Sequence, residues 1–310
     1  MIEILESPHD QPAPSSARAA IVTLLIGEVY ERTWTCMCAS SWARYADRIG
    51  ADIIALKDRI DASDASRSPA WQKLLILDLP WAKRYERIIW LDSDIIINES
   101  APDILEYGGP VDKVGICEDA GRLSPAEAQA YLEGGKPRFS PCDVLTTWRT
   151  FTRDRYISHN LPPHDVMFNT GVIVLSPAHH NEALKRVYAC RETSRLYEQP
   201  QLSHGLLDND LAHILSPRFN WGIIELYVLI FKNGIVGDET PEFLAQIMHV
   251  IVRSQLKSAY FLHFYGAMSL LTQYADIMHA RAPAAAEWNV STRPPGAPAT
   301  ASAISPAQDC

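Results

Sequence analysis

Two aspartates separated by one residue carry the clearest chemical signal in this sequence. The apolar run Ile88-Ile89-Trp90-Leu91 is followed directly by Asp92-Ser93-Asp94. Side chains at positions i and i+2 of an extended chain point the same way, so the carboxylates of Asp92 and Asp94 are expected to converge. Two carboxylates held close together repel each other unless a cation lies between them. The spacing therefore favours a divalent metal that bridges to phosphate or diphosphate oxygens.

Two other interpretations of these aspartates remain open. A short Asp-Ser-Asp stretch is also typical of a polar strand end that makes turn hydrogen bonds. A phosphatase with an aspartate nucleophile also carries an Asp-x-Asp pair, but it places the pair near the N-terminus and continues it with x-Thr or x-Val. Ile96 stands at that position here. The elements around the motif must decide between these interpretations.

The segments before and after the aspartates alternate between strand and helix patterns. Aliphatic runs predict strands at Ala19–Ile26, Ala51–Leu56, Arg87–Asp92, Lys113–Cys117, Gly171–Leu175 and Tyr260–Phe264. Apolar spacing predicts helices at Trp34–Ile49, with Gly50 as its stop, and at Trp71–Leu79, Glu182–Arg195 and Asn209–Leu215. This alternation predicts an α/β fold with a mixed, mostly parallel central sheet flanked by helices. Ligands of such sheets bind beyond the carboxyl ends of the strands.

Local composition predicts one domain between two less ordered ends. Residues 1–18 are polar and contain prolines, and we expect them to be flexible. Residues 19–281 are expected to form a single domain. Within it, residues 120–165 show little periodicity, which indicates long loops or an insertion. Residues 282–310 are rich in Ala, Pro, Ser and Thr, which predicts a disordered tail.

The bulk composition excludes several classes of protein. The chain has 28 Lys and Arg against 37 Asp and Glu, a net charge of −9, without the basic patch of a nucleic-acid binder. Its 6 cysteines are scattered and lack zinc-site spacing, which favours free thiols in a reducing compartment. The longest apolar run, near Ala19–Ile26, is too short to span a bilayer. We therefore expect a cytoplasmic protein without a transmembrane segment.

Further motifs follow the aspartates in a recognisable order. Ala70-Trp71-Gln72-Lys73 precedes them, and the motifs after them are Phe168-Asn169-Thr170-Gly171-Val172, Asp208-Asn209-Asp210, Phe219-Asn220-Trp221 and His263-Phe264-Tyr265-Gly266. This order resembles the retaining GT-A glycosyltransferases of family 8, the glycogenin and bacterial galactosyltransferase group, and is similar to family 34. The resemblance covers roughly Ala19–Met268. It implies a Rossmann-like GT-A fold and transfer of a sugar from a nucleotide-diphosphate donor, mostly a UDP-sugar, to an acceptor hydroxyl with retention.

The resemblance also implies a metal site. Asp92 and Asp94 match the Asp-x-Asp motif that binds manganese, and His263 matches the third protein ligand of the family. A histidine beside two carboxylates suits Mn²⁺ better than Mg²⁺, although Mg²⁺ remains an alternative. Taken alone, His263 is also compatible with a satisfied core histidine. The residues expected to bind the nucleotide-sugar donor are Thr23, Leu25, Tyr30, Lys73, Asp92, Ser93, Asp94 and Gly266.

Three polar residues match positions near the transferred sugar. Asn169 matches a residue close to the sugar and the acceptor. Asp208 and Asn209 match a pair beside the anomeric carbon, although Asp208 is also compatible with an N-cap. The resemblance thus predicts Asn169, Asp208 and Asn209 as catalytic residues. The loops at 120–165, with Trp148 and Arg149, are expected to shape the acceptor pocket.

One position departs from the family pattern. The motif that begins at His263 normally ends in a lysine that contacts the diphosphate, and Ser269 stands there instead. Leaving-group stabilisation would then rest on the metal or on another cation such as Lys257 or Arg253. Two alternatives to a transferase therefore stay open. One is another metal-dependent phosphate-ester enzyme, a nucleotidyltransferase or the phosphatase above, and the other is a non-catalytic nucleotide-sugar-binding protein.

Overall fold

The structure is a computed structural model of the chain. It describes residues 2–119, 152–190, 196–223, 241–265 and 271, with the backbone alone for 241–248 and 251. Within this part of the chain, strands and helices alternate broadly as the sequence predicts. None of the helices described there is long and apolar enough to cross a membrane.

The elements of the described residues have the following bounds. The strands are β1 Ile2–Leu5, β2 Ala19–Leu24, β3 Ala51–Leu56, β4 Arg87–Leu91, β5 Ile95–Ile97, β6 Val114–Glu118, β7 Phe168–Leu175, β8 Ala212–Ile214, β9 Trp221–Gly222 and β10 Phe261–His263. The α-helices are α1 Glu28–Thr33, α2 Ala39–Ile49, α3 Ile104–Tyr107, α4 (152–158), α5 Pro177–Ala189, α6 Gln199–Asp208 and α7 Pro241–Ser258. A π-helical segment, Trp34–Cys38, joins α1 to α2, and 3₁₀ helices cover Pro69–Asp78, Pro80–Arg84 and Pro217–Asn220.

The central sheet has seven strands in the order β1-β3-β2-β4-β7-β6-β8. Its neighbouring strands run parallel, except that β7 is antiparallel to both β4 and β6. The predicted mixed, mostly parallel sheet is therefore confirmed. Because β7 runs in the opposite direction, its first residues, Phe168–Thr170, lie at the edge where β2 and β4 end.

A second, three-stranded sheet, β5-β10-β9, lies beyond that edge. Its β10 is antiparallel to β5, with His263 opposite Ile95, and parallel to β9. The backbone N–H of Phe264 donates to the carbonyl oxygen of Asp94 at 3.0 Å. This small sheet brings a histidine from the C-terminal part of the chain to the aspartates that follow β4.

Two hydrophobic cores cover the two faces of the central sheet, as strand alternation requires. Ile21, Ile53 and Ile89 face the core that contains the α1–α2 helix. Their strand neighbours Val22, Ile54 and Ile88 face the core built on the 3₁₀ segment at residues 69–78 and on α5 and α6. A sheet buried on both faces explains why its strands are continuous aliphatic runs in the sequence.

The predicted first helix is present. Trp34, Cys38, Trp42 and Tyr45 are buried, and Gly50 ends the helix in the left-handed conformation at φ 66°. Glycine adopts that conformation without a steric penalty, which is why it ends so many helices. Trp42 donates its indole N–H to the carbonyl oxygen of Ile95 at 2.8 Å. The helix thus supports the backbone just after Asp94.

Two sequence expectations are wrong. Residues 1–18 were expected to be flexible, but β1 pairs in parallel with β3, and the Trp81 indole donates to the carbonyl oxygen of Pro8 at 3.1 Å. Residues 209–215 were expected to be helical, but the helix lies earlier, at α6, and β8 follows it. Pro200 in the first turn of α6 fits this placement, since proline is well tolerated there.

Several expectations concern residues that lie wholly or mostly outside the described part of the chain. Most of the predicted 120–165 insertion, including Trp148 and Arg149, lies outside the described residues, although 152–158 form α4. The predicted tail at 282–310 also lies outside them. Among the described cysteines, Cys38, Cys117 and Cys190 are free thiols.

Candidate functional site

A cavity of about 460 Å³ lies at the edge of the sheet where β2 and β4 end and β7 begins. Asp92, Ser93 and Asp94 line it, together with Asn169 and His263. The chain turns at Ser93 and Asp94 rather than continuing as an extended strand, and it still brings the two carboxylates to the same cavity. This is the edge at which parallel α/β sheets bind their ligands.

His263 faces both aspartates. Its Nε2 lies 3.1 Å from Oδ1 of Asp94 and 3.8 Å from Oδ2 of Asp92. The residue is 1% exposed, and this Nε2 makes no hydrogen bond among the described residues. A buried polar atom without a hydrogen bond is unusual in a folded protein, and it indicates a ligand or a special function.

A chain of hydrogen bonds fixes which nitrogen of His263 carries the proton. The backbone N–H of Gly171 donates to Oδ1 of Asn169 at 3.0 Å, so that atom is an oxygen. Asn220 Nδ2 donates to the same oxygen at 2.8 Å. Asn220 Oδ1 must then accept from His263 Nδ1, which lies 2.8 Å away. The Nε2 of His263 therefore faces two carboxylates, an arrangement that either a metal ion or a proton on Nε2 would stabilise.

The donor set fits a divalent metal ion. Nitrogen and oxygen ligands bound at about 2.0–2.2 Å to one ion lie roughly 3 Å from each other, and the ligand atoms of Asp92, Asp94 and His263 all lie within 4.8 Å of one another. One imidazole with two carboxylates suits manganese and similar ions better than magnesium. The hydrogen bond from His263 to Asn220 is the kind of support that orients a metal-binding histidine.

Gly171 makes the close approach of His263 possible. A Cβ at this position would lie 2.2 Å from Cε1 and 2.6 Å from Nδ1 of His263. No real Cβ comes that close to a buried ring. The absence of a side chain at Gly171 therefore helps to place the imidazole.

Lys73 is buried beneath the aspartates, at 3% exposure. Its Nζ lies 3.0 Å from Oδ1 of Asp92, 2.9 Å from Oε1 of Glu198 and 3.0 Å from the carbonyl oxygen of Thr170. An ammonium group has three N–H donors, and these three acceptors occupy them. Lys73 was expected to bind the donor, but its three N–H groups are engaged within the protein. It holds Asp92 in place.

The same contacts determine the charge states of the pair. Burial would raise the pKa of Asp92, but Lys73, His263 and the Trp90 indole N–H hold that pKa below its ordinary value. Burial would lower the pKa of Lys73, but Asp92 and Glu198 keep it above its ordinary value. Asp92 is therefore ionised, with Oδ1 engaged by Lys73 and Trp90 and Oδ2 directed towards His263.

The structure brings most of the predicted donor-binding residues to the cavity. Tyr30, Lys73 and Ser93 line it, as does Asn169 from the predicted sugar-side set. Thr23 and Leu25 do not. Both are fully buried, and Leu24 and Ile26 line the cavity instead, because side chains along an extended segment alternate between its two sides.

Asp208 and Asn209 are not at this cavity. They lie at the end of α6, whose first residue Gln199 lines it. At about 1.5 Å per helical residue, Asp208 is roughly 14 Å along the axis from Gln199. The Asn209 amide donates to the carbonyl oxygen of Gly205 at 2.8 Å, and Asp208 contacts two histidines. The pair therefore lies away from this cavity, and its assignment to the sugar stays a prediction.

Three polar residues that the sequence analysis missed contribute to the site. Glu198 and Gln199 line the cavity at the start of α6, and Asn220 supports His263. Pro200 was the available signal for the first two, since it marks where the helix begins. Asn220 stood in the quoted Phe-Asn-Trp motif, but nothing in one sequence indicates that its amide faces a histidine.

Four further residues named in the sequence analysis are not observed at the cavity. Gly266 and Ser269 lie outside the described residues. Arg253 and Lys257, the alternative cations for a leaving group, lie on α7 and do not line the cavity.

Comparisons with known proteins identify the fold. No protein-family model matches the sequence, and no curated protein matches it. Among solved structures, a glycosyltransferase involved in glycosylation of the major capsid of PBCV-1 aligns with a TM-score of 0.50 and 13% identity, over 84% of this chain and 98% of that chain. The apo structure of the bifunctional glycosyltransferase WbbM aligns with a TM-score of 0.50 and 14% identity, over 83% of this chain and 48% of the other. The galactosyltransferase LgtC, in complex with donor and acceptor sugar analogues, aligns with a TM-score of 0.46 and 12% identity, over 84% and 97%.

These similarities have one consequence for the structure. The alignments at a TM-score of 0.50 show that the chain has the α/β fold of GT-A glycosyltransferases. At 13% and 14% identity these two alignments establish the fold alone.

Proposed function

We propose that this chain is a metal-dependent glycosyltransferase, a hexosyltransferase that moves a sugar from a nucleotide-diphosphate donor, a UDP-sugar, to an acceptor hydroxyl. The observation that carries the proposal is the Nε2 of His263, which is buried, has no hydrogen bond within the part of the chain that the structure describes and faces the carboxylates of Asp92 and Asp94. Mn²⁺ is the proposed ion. Retention of configuration rests on the family resemblance and is part of the same proposal.

Each group of residues has a role in this proposal. Asp92, Asp94 and His263 hold the metal, which when bound neutralises negative charge on a departing diphosphate. Lys73 keeps Asp92 ionised and oriented. Tyr30 is half exposed at the cavity, where its ring offers a surface for the base of the donor. Glu198, Gln199 and Asn169 supply hydrogen-bonding groups on the side where a sugar would lie.

The test is release of nucleotide diphosphate from a panel of UDP- and GDP-sugars, with Mn²⁺ and with EDTA. We expect release from one donor in Mn²⁺ and none in EDTA. Asp94→Asn removes a metal ligand but leaves the Asp92–Lys73 pair intact. We expect it to lower the rate by more than the roughly 10–100-fold typical when a residue that only supports a ligand is changed.

The matched control is Asp78→Asn, which removes a surface carboxylate that pairs with Lys185. It should keep the full rate. Donor binding without release in the presence of candidate acceptors would indicate a binding protein. Metal-dependent release of pyrophosphate or of free phosphate, without a sugar product, would indicate a nucleotidyltransferase or a phosphatase. A rate that is equal in Mn²⁺ and EDTA would contradict the proposed metal.

A further inference from the structure

A second group of metal-binding side chains lies at the opposite end of α6. His164 Nε2 is 2.9 Å from Oδ1 of Asp208, and His204 Nδ1 is 3.2 Å from Oδ2 of the same carboxylate. The two imidazole rings are 5.1 Å apart and nearly perpendicular. One ligand atom from each residue lies within 4.8 Å of the other two. This group is separate from the cavity around Asp92, because its members do not line that cavity.

Chain geometry makes the convergence specific. His204 and Asp208 are four residues apart on one helix, so they lie on the same face. His164 lies in the segment just before β7, and β7 and α5 separate it from His204 along the chain. Tyr156 of α4 packs its ring edge-on against both histidines, at 5.5 Å from His164 and 6.1 Å from His204. The aromatic contacts limit the rotation of both imidazoles.

The electrostatics of the position favour a cation. Asp208 is the last residue of α6, where the partial negative charge of the helix end disfavours a carboxylate. Asp210 adds a further negative charge nearby, although Lys113 pairs with it at 2.8 Å. The side chains that contact the Asp208 carboxylate are those of His164 and His204. A bound cation would offset both sources of negative potential.

We propose that His164, His204 and Asp208 form a second metal site, for a divalent transition ion of the zinc class. The spacings of 2.9 Å to Oδ1 and 3.2 Å to Oδ2 are hydrogen-bond lengths, and they also bring each nitrogen near the roughly 3.3 Å that separates two ligands of a tetrahedral zinc ion. Two imidazoles and one carboxylate are a common zinc ligand set, with water as the fourth ligand. The ion joins the segment before β7 to the end of α6.

The test uses Zn²⁺ itself as the probe, and it is independent of the proposed transferase activity. The protein carries Asp94→Asn throughout, so that the cavity site is weakened. Equilibrium dialysis of this full-length chain should show one bound Zn²⁺ that is lost, or at least roughly 10-fold weaker, when His164→Ala and His204→Ala are added. His179→Ala, a change to an exposed histidine on α5, is the matched control and should leave binding unchanged.

A second variant covers the case in which the double alanine change disturbs folding. Asp208→Asn keeps the shape of a half-exposed side chain, but it removes the charge and replaces one of the two carboxylate oxygens by an NH2 group. It should weaken Zn²⁺ binding by a similar factor, with an unchanged circular dichroism spectrum. The proposal is overturned if the chain with Asp94→Asn alone binds no Zn²⁺. It is also overturned if Asp208→Asn binds Zn²⁺ as tightly as the His179→Ala control.

Discussion

At the scale of single residues, hydrogen bonds rather than charges determine the orientation of the metal-binding histidine. The backbone N–H of Gly171 donates to Asn169, which identifies the accepting atom as the amide oxygen. That oxygen accepts from the NH2 group of Asn220, so the oxygen of Asn220 faces His263 and Nδ1 of His263 carries the proton. Backbone groups cannot change their donor or acceptor character, so the orientation of this series is determined by its first member.

Replacing Asn220 tests the value of that support. Asn220→Ala removes the acceptor for Nδ1–H of His263, and the imidazole is then free to rotate or to change tautomer. We expect Mn²⁺ affinity to fall about 10–100-fold, measured by titration of Mn²⁺ with electron paramagnetic resonance. Asn209→Ala, an amide at the far end of α6, is the control and should keep the affinity. Equal losses in both variants would contradict the placement of the site.

Replacing Lys73 tests the buried ion pair. Lys73→Met leaves Asp92 and the buried Glu198 without their shared cation, and we expect unfolding in urea to show a loss of about 3–5 kcal/mol. Lys185→Met, which removes a surface pair with Asp78, should cost no more than about 1 kcal/mol. Adding Glu198→Gln to Lys73→Met should restore part of the loss, since it removes one unpaired charge. A cost for Lys73→Met no larger than that of Lys185→Met would rule out this role.

The sequence could locate the metal ligands but not the residues around them. Asp92 and Asp94 follow an apolar strand, and His263 lies in a short motif, so their order along the chain was informative. Glu198, Gln199 and Asn220 reach the cavity through the packing of α6 and β9, which leaves no local pattern. Asp208 was expected at the cavity because an Asp-Asn pair matches many motifs, and because the helix was expected to start where it actually ends.

At the scale of elements, the buried strands were predictable and the edge strand was not. Strands β2, β3, β4 and β7 are covered on both faces, so each is a continuous aliphatic run. Strand β1 is only four residues long, with the sequence Ile-Glu-Ile-Leu. As an edge strand it leaves Ile2 and Ile4 exposed at 39% and 40%, so it lacks the long aliphatic run that marked the buried strands. The antiparallel direction of β7 was also hidden, because direction depends on the connection and not on composition.

Two neighbouring tryptophans on the first helix allow a test of how that helix supports the site. Trp34 and Trp42 are both fully buried and contact each other edge-on at 5.5 Å. The Trp42 indole N–H donates to Ile95 just after the aspartates, whereas the Trp34 indole N–H has no hydrogen-bond partner among the described residues.

We therefore expect the same chemical change to cost unequal amounts of stability at these two positions. Trp42→Phe leaves the Ile95 carbonyl group without its donor and should cost about 1–3 kcal/mol beyond the effect of volume. Trp34→Phe removes an unsatisfied donor and should cost clearly less. Thermal or urea unfolding of the two variants side by side provides the measurement. A larger loss for Trp34→Phe would show that packing, and not the hydrogen bond, dominates.

At the scale of the whole molecule, donor binding should be visible as a gain in stability. The cavity is lined from β2, β4, β7, α6 and β10, so a ligand there contacts elements from across the chain. A ligand that binds only the folded state stabilises it by mass action, by about 2.7 kcal/mol at 100 times its dissociation constant.

The corresponding prediction concerns UDP. UDP with Mn²⁺ should raise the Tm measured by calorimetry, while UDP with EDTA should raise it much less, because the diphosphate oxygens need the metal. Asp94→Asn should remove most of the difference between the two conditions. A Tm that rises equally with and without the metal would mean that the nucleotide binds elsewhere.

The residues of the proposed metal site are widely separated along the chain, and this separation affects the order of events during synthesis. Lys73 and His263 belong to one constellation, although the segments that carry them leave the ribosome far apart in time. Domains acquire their structure as units during synthesis, and contacts between distant segments form late. A nascent chain that has reached residue 223 holds both aspartates and the Asn220 amide but still lacks its histidine. Metal capture is therefore expected only after β10 has been synthesised and has joined β5.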